Sequence, residues 1–65
     1  MKNIVSELRN KQGWSQQQLA EYLSVSRQTI NAIEKGRYDP SLPLAFKLSK
    51  IFNLSIETIF QDESN

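Results

Sequence analysis

The stretch from Ser15 to Gly36 constrains the fold more than any other part of the chain. Its apolar residues fall at helical spacing in two short runs, Leu19, Ala20 and Leu23, then Ile30 and Ile33. Ser24, Val25 and Ser26 lie between the runs, which leaves room for a tight turn and nothing longer. Two helices joined this closely must cross. Ala20 supplies the small side chain that lets the second helix pass over the middle of the first. Leu19, Leu23, Val25, Ile30 and Ile33 supply the inward contacts, and the pattern is that of a helix-turn-helix. The turn residue in such a motif commonly has positive φ, which favours Gly. Ser24 stands there instead, at an expected cost of about 1 kcal/mol.

The same signals organise the rest of the chain. Trp14-Ser15, Val25-Ser26 and Leu54-Ser55 are each followed by an apolar residue at Leu19, Ile30 and Ile59. Each Ser is placed to cap a helix, with the residue before it packing on the fourth helical residue. Gln18 completes a capping box with Ser15. Pro40-Ser41 with Pro43 marks another start, because Pro is tolerated in a first turn. Ile4, Val5 and Leu8 predict helix 1, which ends near Gly13. Leu44, Ala45, Leu48, Ile51 and Phe52 predict helix 4, and Ile56, Ile59 and Phe60 a short helix 5. Gly36 stops helix 3. No segment alternates with period two long enough to argue a sheet. The expected fold is all-α, a compact five-helix domain over residues 1–65, with 61–65 a flexible tail.

With 65 residues, there is room for one small core. Composition then removes whole classes of function. The chain has no Cys and no His, so disulfides, thiolate metal sites and the commonest general base are absent. No apolar run approaches the ~20 residues that cross a bilayer, and no secretory signal is visible. The expectations are therefore no enzyme, no metal, no cofactor, no membrane and a cytoplasmic location. Net charge is only +1, but it is unevenly spread. Arg9, Lys11, Arg27, Lys35 and Arg37 outweigh Glu21 and Glu34 in the first part, whereas Glu57, Asp62 and Glu63 close the chain. Such a polarised molecule suits one side facing phosphates.

The outward residues of helix 3 favour double-stranded DNA as the partner. Arg27 and Gln28 sit in its first turn, the part that enters a major groove. Arg pairs with guanine O6 and N7, and Gln with adenine N6 and N7. Thr29 offers a hydroxyl and a methyl group. Asn31 follows Arg27 by four residues and shares its face, and Ala32 is placed for a thymine methyl. Ser26, Lys35, Arg37, Tyr38 and Lys11 are expected at the DNA backbone, where contacts position without reading sequence.

Gln16-x-x-Leu19-Ala20-x-x-Leu23, Val25-Ser26-Arg27-Gln28-Thr29-Ile30 and Ile33-Glu34-x-Gly36-Arg37-Tyr38-x-Pro40-Ser41-Leu42 together resemble the Cro/C1-repressor type, or Xre family, of regulators. The likeness runs from Leu8-Arg9 to Ile59-Phe60 and is nearest to the small stand-alone repressors of bacteria, plasmids and phages, such as cytolysin-operon repressors. Ser24 for Gly and Trp14 for Leu depart from the pattern. The resemblance implies a lambda-repressor-like fold and repression through a palindromic operator. It places Gln16 against a phosphate, with a further role bracing Gln28, and pairs Arg9 with Glu34 as a structural ion pair. The competing role for Arg9 is a direct phosphate contact.

One half-site gives weak discrimination, so a homodimer is expected. The candidate dimer surface is the Asp39-to-Leu44 loop and the start of helix 4 with the Phe52-to-Phe60 region, through Leu42, Leu44, Leu54, Ile56 and Phe60; Leu42, Leu54 and Ile56 look surplus to so small a core, against the simpler reading that they cap the bundle. A second functional reading is an antitoxin or anti-repressor that uses the same fold to bind protein.

Overall fold

The computed structural model describes residues 1–62. Five helices follow in order: α1 Val5–Lys11, α2 Gln16–Leu23, α3 Arg27–Glu34, α4 Leu42–Phe52 and α5 Ile56–Ile59. Four of them begin at the serines that the sequence singles out. Ser15, Ser26, Ser41 and Ser55 each accept a hydrogen bond from the backbone N–H three residues on. At Ser15 the bond is returned, Gln18 Oε1 accepting from the Ser15 N–H at 2.8 Å, so the capping box is complete. Helix α1 differs, because Ile4 at its cap has no suitable side chain. Asn3, one residue earlier, accepts from the Val5 N–H instead, at 3.1 Å.

The helix ends share one device. Gly13, Ser24, Gly36 and Asn53 all have positive φ, between 55° and 74°. Behind each, the next residue's N–H reaches back to a carbonyl five positions earlier: Trp14 to Arg9, Val25 to Ala20, Arg37 to Ala32 and Leu54 to Ser49. This is the Schellman closure, which satisfies the last carbonyls of a helix. Trp14, Val25 and Leu54 thus serve twice, closing one helix and preceding the serine that starts the next. Ser24 adopts the left-handed geometry the motif demands, φ 59° and ψ 41°. Asn53 is a second non-glycine in that state, which apolar periodicity gave no means to foresee; Asn tolerates it because its short polar side chain does.

The core is formed by Val5, Leu19, Ala20, Leu23, Ile30, Ile33, Leu44, Leu48, Ile59 and Phe60, with Leu8, Trp14, Val25, Ile51, Phe52, Leu54 and Ile56 packed around it. Trp14 fills its place by ring contact, its centroid 4.8 Å from Tyr22 and 5.9 Å from Phe52. The larger ring in place of Leu thereby ties the α1–α2 connection to both α2 and α4. The chain ends meet in a single antiparallel bridge between Asn3 and Phe60. Ile4 N–H donates to Ile59 at 3.0 Å and Gln61 N–H to Lys2 at 2.8 Å. Gln61 is therefore pinned rather than part of a loose tail, while positions 63–65 of that expectation lie outside the described residues.

Candidate nucleic-acid interface

Helix α3 carries the site, and its position is fixed from both ends. Its N-terminus is capped by Ser26, whose hydroxyl also pairs with Thr29 Oγ1 at 2.9 Å. The Ser26 and Thr29 hydroxyls thus bond each other at the helix start. At the other end, Gly36 closes the helix in a conformation that a side chain would strain. A Cβ there would also come within 3.3 Å of the Met1 carbonyl oxygen. Asn3 donates to the Ile33 carbonyl at 2.8 Å, and the Met1 amino group donates to the Gly36 carbonyl at 3.0 Å. Buried Ile30 and Ile33 seat the inner face.

Arg27 and Gln28 are exposed on the first turn of α3. Neither side chain is engaged by another described residue, so both are available to a ligand. Asn31 and Ala32 are half-buried on the same helix. Lys35, Arg37 and Tyr38 are exposed just beyond it, and Lys11 is exposed at the end of α1. These are the positions that the sequence marks for base and phosphate contacts.

Behind this face lies a polar network. Arg9 Nε donates to Glu34 Oε2 at 2.7 Å and Nη2 to Oε1 at 3.2 Å, while Nη1 donates to the Trp14 carbonyl at 2.8 Å. The two side chains retain 13% and 7% of their accessible surface. The expected pair is therefore present. Gln16 Nε2 joins the same carboxylate at 2.9 Å and reaches Asn31 Oδ1 at 3.3 Å. The partners of Gln16 are thus Glu34 and Asn31, not Gln28. Its amino group is turned inward, because a carboxylate held by Arg9 attracts a donor.

The candidate dimer residues divide. Leu44 and Phe60 are buried within the protomer's own core, which limits what they can offer a partner. Leu54 and Ile56 are half-buried against it. Leu42 remains 63% exposed, and Phe46, one turn further on α4, is 50% exposed. Phe46 escaped the sequence reading, although its spacing of four from Leu42, off the Leu44–Leu48 stripe, marks an outward apolar pair. Beside Leu42 is a groove of about 220 Å³ lined by Met1, Asp39, Pro40, Ala45, Ile56 and Phe60. Among the described residues, no cluster of His, Cys, Asp or Glu could hold a metal ion, and no helix is long and apolar enough to cross a membrane.

Comparison with known proteins agrees with this geometry. Residues 5–59 match the helix-turn-helix family. An uncharacterised HTH-type transcriptional regulator of Methanocaldococcus jannaschii is 57% identical over 60 residues, covering 92% of this chain and 91% of that protein. One from Bacillus subtilis is 53% identical over the same length, with the same coverage of both chains. A competence pilus inhibition repressor of Acinetobacter baylyi is 42% identical over 53 residues, 82% of this chain and 48% of the longer relative. Relatives thus occur in archaea as well as bacteria. With five helices, a packed α2–α3 pair joined by a tight turn and relatives that are transcriptional regulators, the chain belongs to the Cro/C1-type helix-turn-helix family of DNA-binding transcriptional regulators and is not an enzyme.

Proposed function

We propose that the protein is a repressor that binds a palindromic operator in the cytoplasm as a homodimer, with α3 in the major groove. The observation that carries this reading is the first turn of α3, where Arg27 and Gln28 stand exposed and unengaged on a helix braced at both ends. Rigid placement matters, because a bidentate base contact discriminates only if its donors arrive in register. Thr29, Asn31 and Ala32 complete the reading face. Ser26, Lys35, Arg37, Tyr38 and Lys11, with the N-terminus of α2 at Gln16, hold the phosphates on either side. A blocking role suits a domain occupied by DNA contacts and a dimer face, and a relative of the same family bears the name repressor.

The dimer reading rests on α4. Leu42 projects beside an apolar groove of its own protomer. In a two-fold pair each Leu42 enters the partner's groove against Ile56, with Phe46 extending the contact. Burying a Leu or Phe side chain contributes about 1.5–3 kcal/mol. Half-sites would then lie about 34 Å apart, one turn of the duplex. Selection of bound sequences from random duplex DNA tests the whole reading. A palindrome with fixed half-site spacing is expected. Recovery of no sequence at low salt overturns it and favours a protein-binding role such as antitoxin or anti-repressor.

A further inference from the structure

We infer that Asn31 reads DNA as a hydrogen-bond donor, with its amide orientation dictated from inside the protein by Arg9, Glu34 and Gln16; this rests on the DNA-reading role of α3. The reasoning follows the polarity of the network outward. Arg carries donors and no acceptor. Arg9 places two of them on Glu34, at 2.7 and 3.2 Å. A carboxylate so held only accepts. Gln16 lies 2.9 Å from Glu34 Oε1, so it must present its amino group there. That amino group has a second hydrogen, and the next polar atom is on Asn31, at 3.3 Å. An acceptor is required at that point, so Asn31 turns its Oδ1 to Gln16. The opposite orientation would set two amino groups against each other.

The consequence falls on the outward half of the Asn31 amide. Its Nδ2 has no partner among the described residues, and it is the group left to meet a base. In the major groove, guanine presents N7 and O6 and thymine presents O4, all acceptors; adenine presents the N7 acceptor beside its N6 donor, and cytosine only the N4 amino donor. The two-point adenine contact of Asn needs Oδ1 and Nδ2 to face the base together, and here Oδ1 faces Gln16. Asn31 is therefore a reader of acceptor edges, and Gln16 is a positioning residue for it. A side chain of α1 thus sets, through two intermediates, which base edge one side chain of α3 reads.

The test is sequence selection from random duplexes with wild type and three variants, each checked for helix content by circular dichroism. Asn31→Ala should flatten the preference at one base pair and so locate the contact. At that pair wild type should favour guanine or thymine over cytosine about tenfold. Gln16→Leu removes the lock. It should erase that preference while leaving the base pair read by Arg27 unchanged, which a general loss of structure would not do. Asn31→Asp keeps an oxygen for Gln16 and turns a second oxygen outward, so the preference should reverse towards cytosine or adenine. A wild-type preference for cytosine, an unaltered preference in folded Gln16→Leu, or no base pair affected by Asn31→Ala would each overturn the inference while leaving DNA binding intact. Failure of wild type to select any sequence would instead remove the DNA reading, and the inference with it.

Discussion

Arg9 and Glu34, 25 residues apart in sequence, meet in a two-pronged ion pair with Nε to Oε2 at 2.7 Å and Nη2 to Oε1 at 3.2 Å. The contact spans from α1 to the last turn of α3, so it fastens the proposed reading helix to the rest of the bundle. Both groups are largely enclosed, and enclosure changes the arithmetic of the pair. An exposed ion pair contributes little. Removing one partner here leaves the other desolvated and uncompensated. Arg9→Met should therefore destabilise the domain by about 3 kcal/mol, as measured by urea unfolding. Arg9→Met combined with Glu34→Leu should recover much of that loss, because the stranded charge is gone. A double variant no more stable than the single one would contradict this account.

Ser24 offers the opposite experiment. It holds φ 59° at an exposed turn, in the geometry where a Cβ is unfavourable. Ser24→Gly should raise stability by up to about 1 kcal/mol, partly offset by the greater freedom of Gly in the unfolded chain. Thermal melting reads the effect as an upward shift of a few degrees. Ser24→Val should lower the transition, since a β-branched residue is poorly tolerated at positive φ.

The two kinds of DNA contact should respond differently to salt. Arg27→Ala should cost about 1–3 kcal/mol at one base pair and relax the preference there. Lys35→Ala should weaken binding to all duplexes alike and reduce the slope of log affinity against log salt by about 1. Fluorescence anisotropy titrations at several salt concentrations separate the two. Identical behaviour of both variants would refute the division into reading and gripping residues.

Self-association should depend on Leu42. Leu42→Asp places a charge at the exposed tip that faces the groove and should shift sedimentation towards monomer without altering the circular dichroism spectrum, since Leu42 contributes little to the core. Binding to a single half-site should persist, while tight binding to the palindrome is lost. Phe46→Ser should act in the same direction. Unchanged sedimentation for both variants would move the dimer contact away from α4.

Local chemistry in the sequence determined the elements themselves. Four serine caps, the apolar spacing and Gly36 located the helices, because each works over a turn or less. The outward run from Arg27 to Asn31 was legible for the same reason: on a helix, spacing alone assigns a face. Burial at long range was not legible. Leu44 and Phe60 counted as candidate dimer residues until the fold brought them into the core, and Phe46 was passed over until the fold left it outside. Which face of α4 is covered depends on where α5 and the chain ends dock, and sequence spacing does not encode that.

Hydrogen-bond partners across the bundle were likewise decided by tertiary structure. The bridge between Asn3 and Phe60 joins two segments with no strand pattern of their own. The turn of Gln16 towards Glu34 and Asn31 follows from one enclosed carboxylate that accepts from side chains of two other helices, Arg9 of α1 and Gln16 of α2. Sequence named the Arg9–Glu34 pair, Gln16 and Asn31 separately. Their joint polarity exists only once α1, α2 and α3 pack together, because a donor chooses its acceptor by proximity in space.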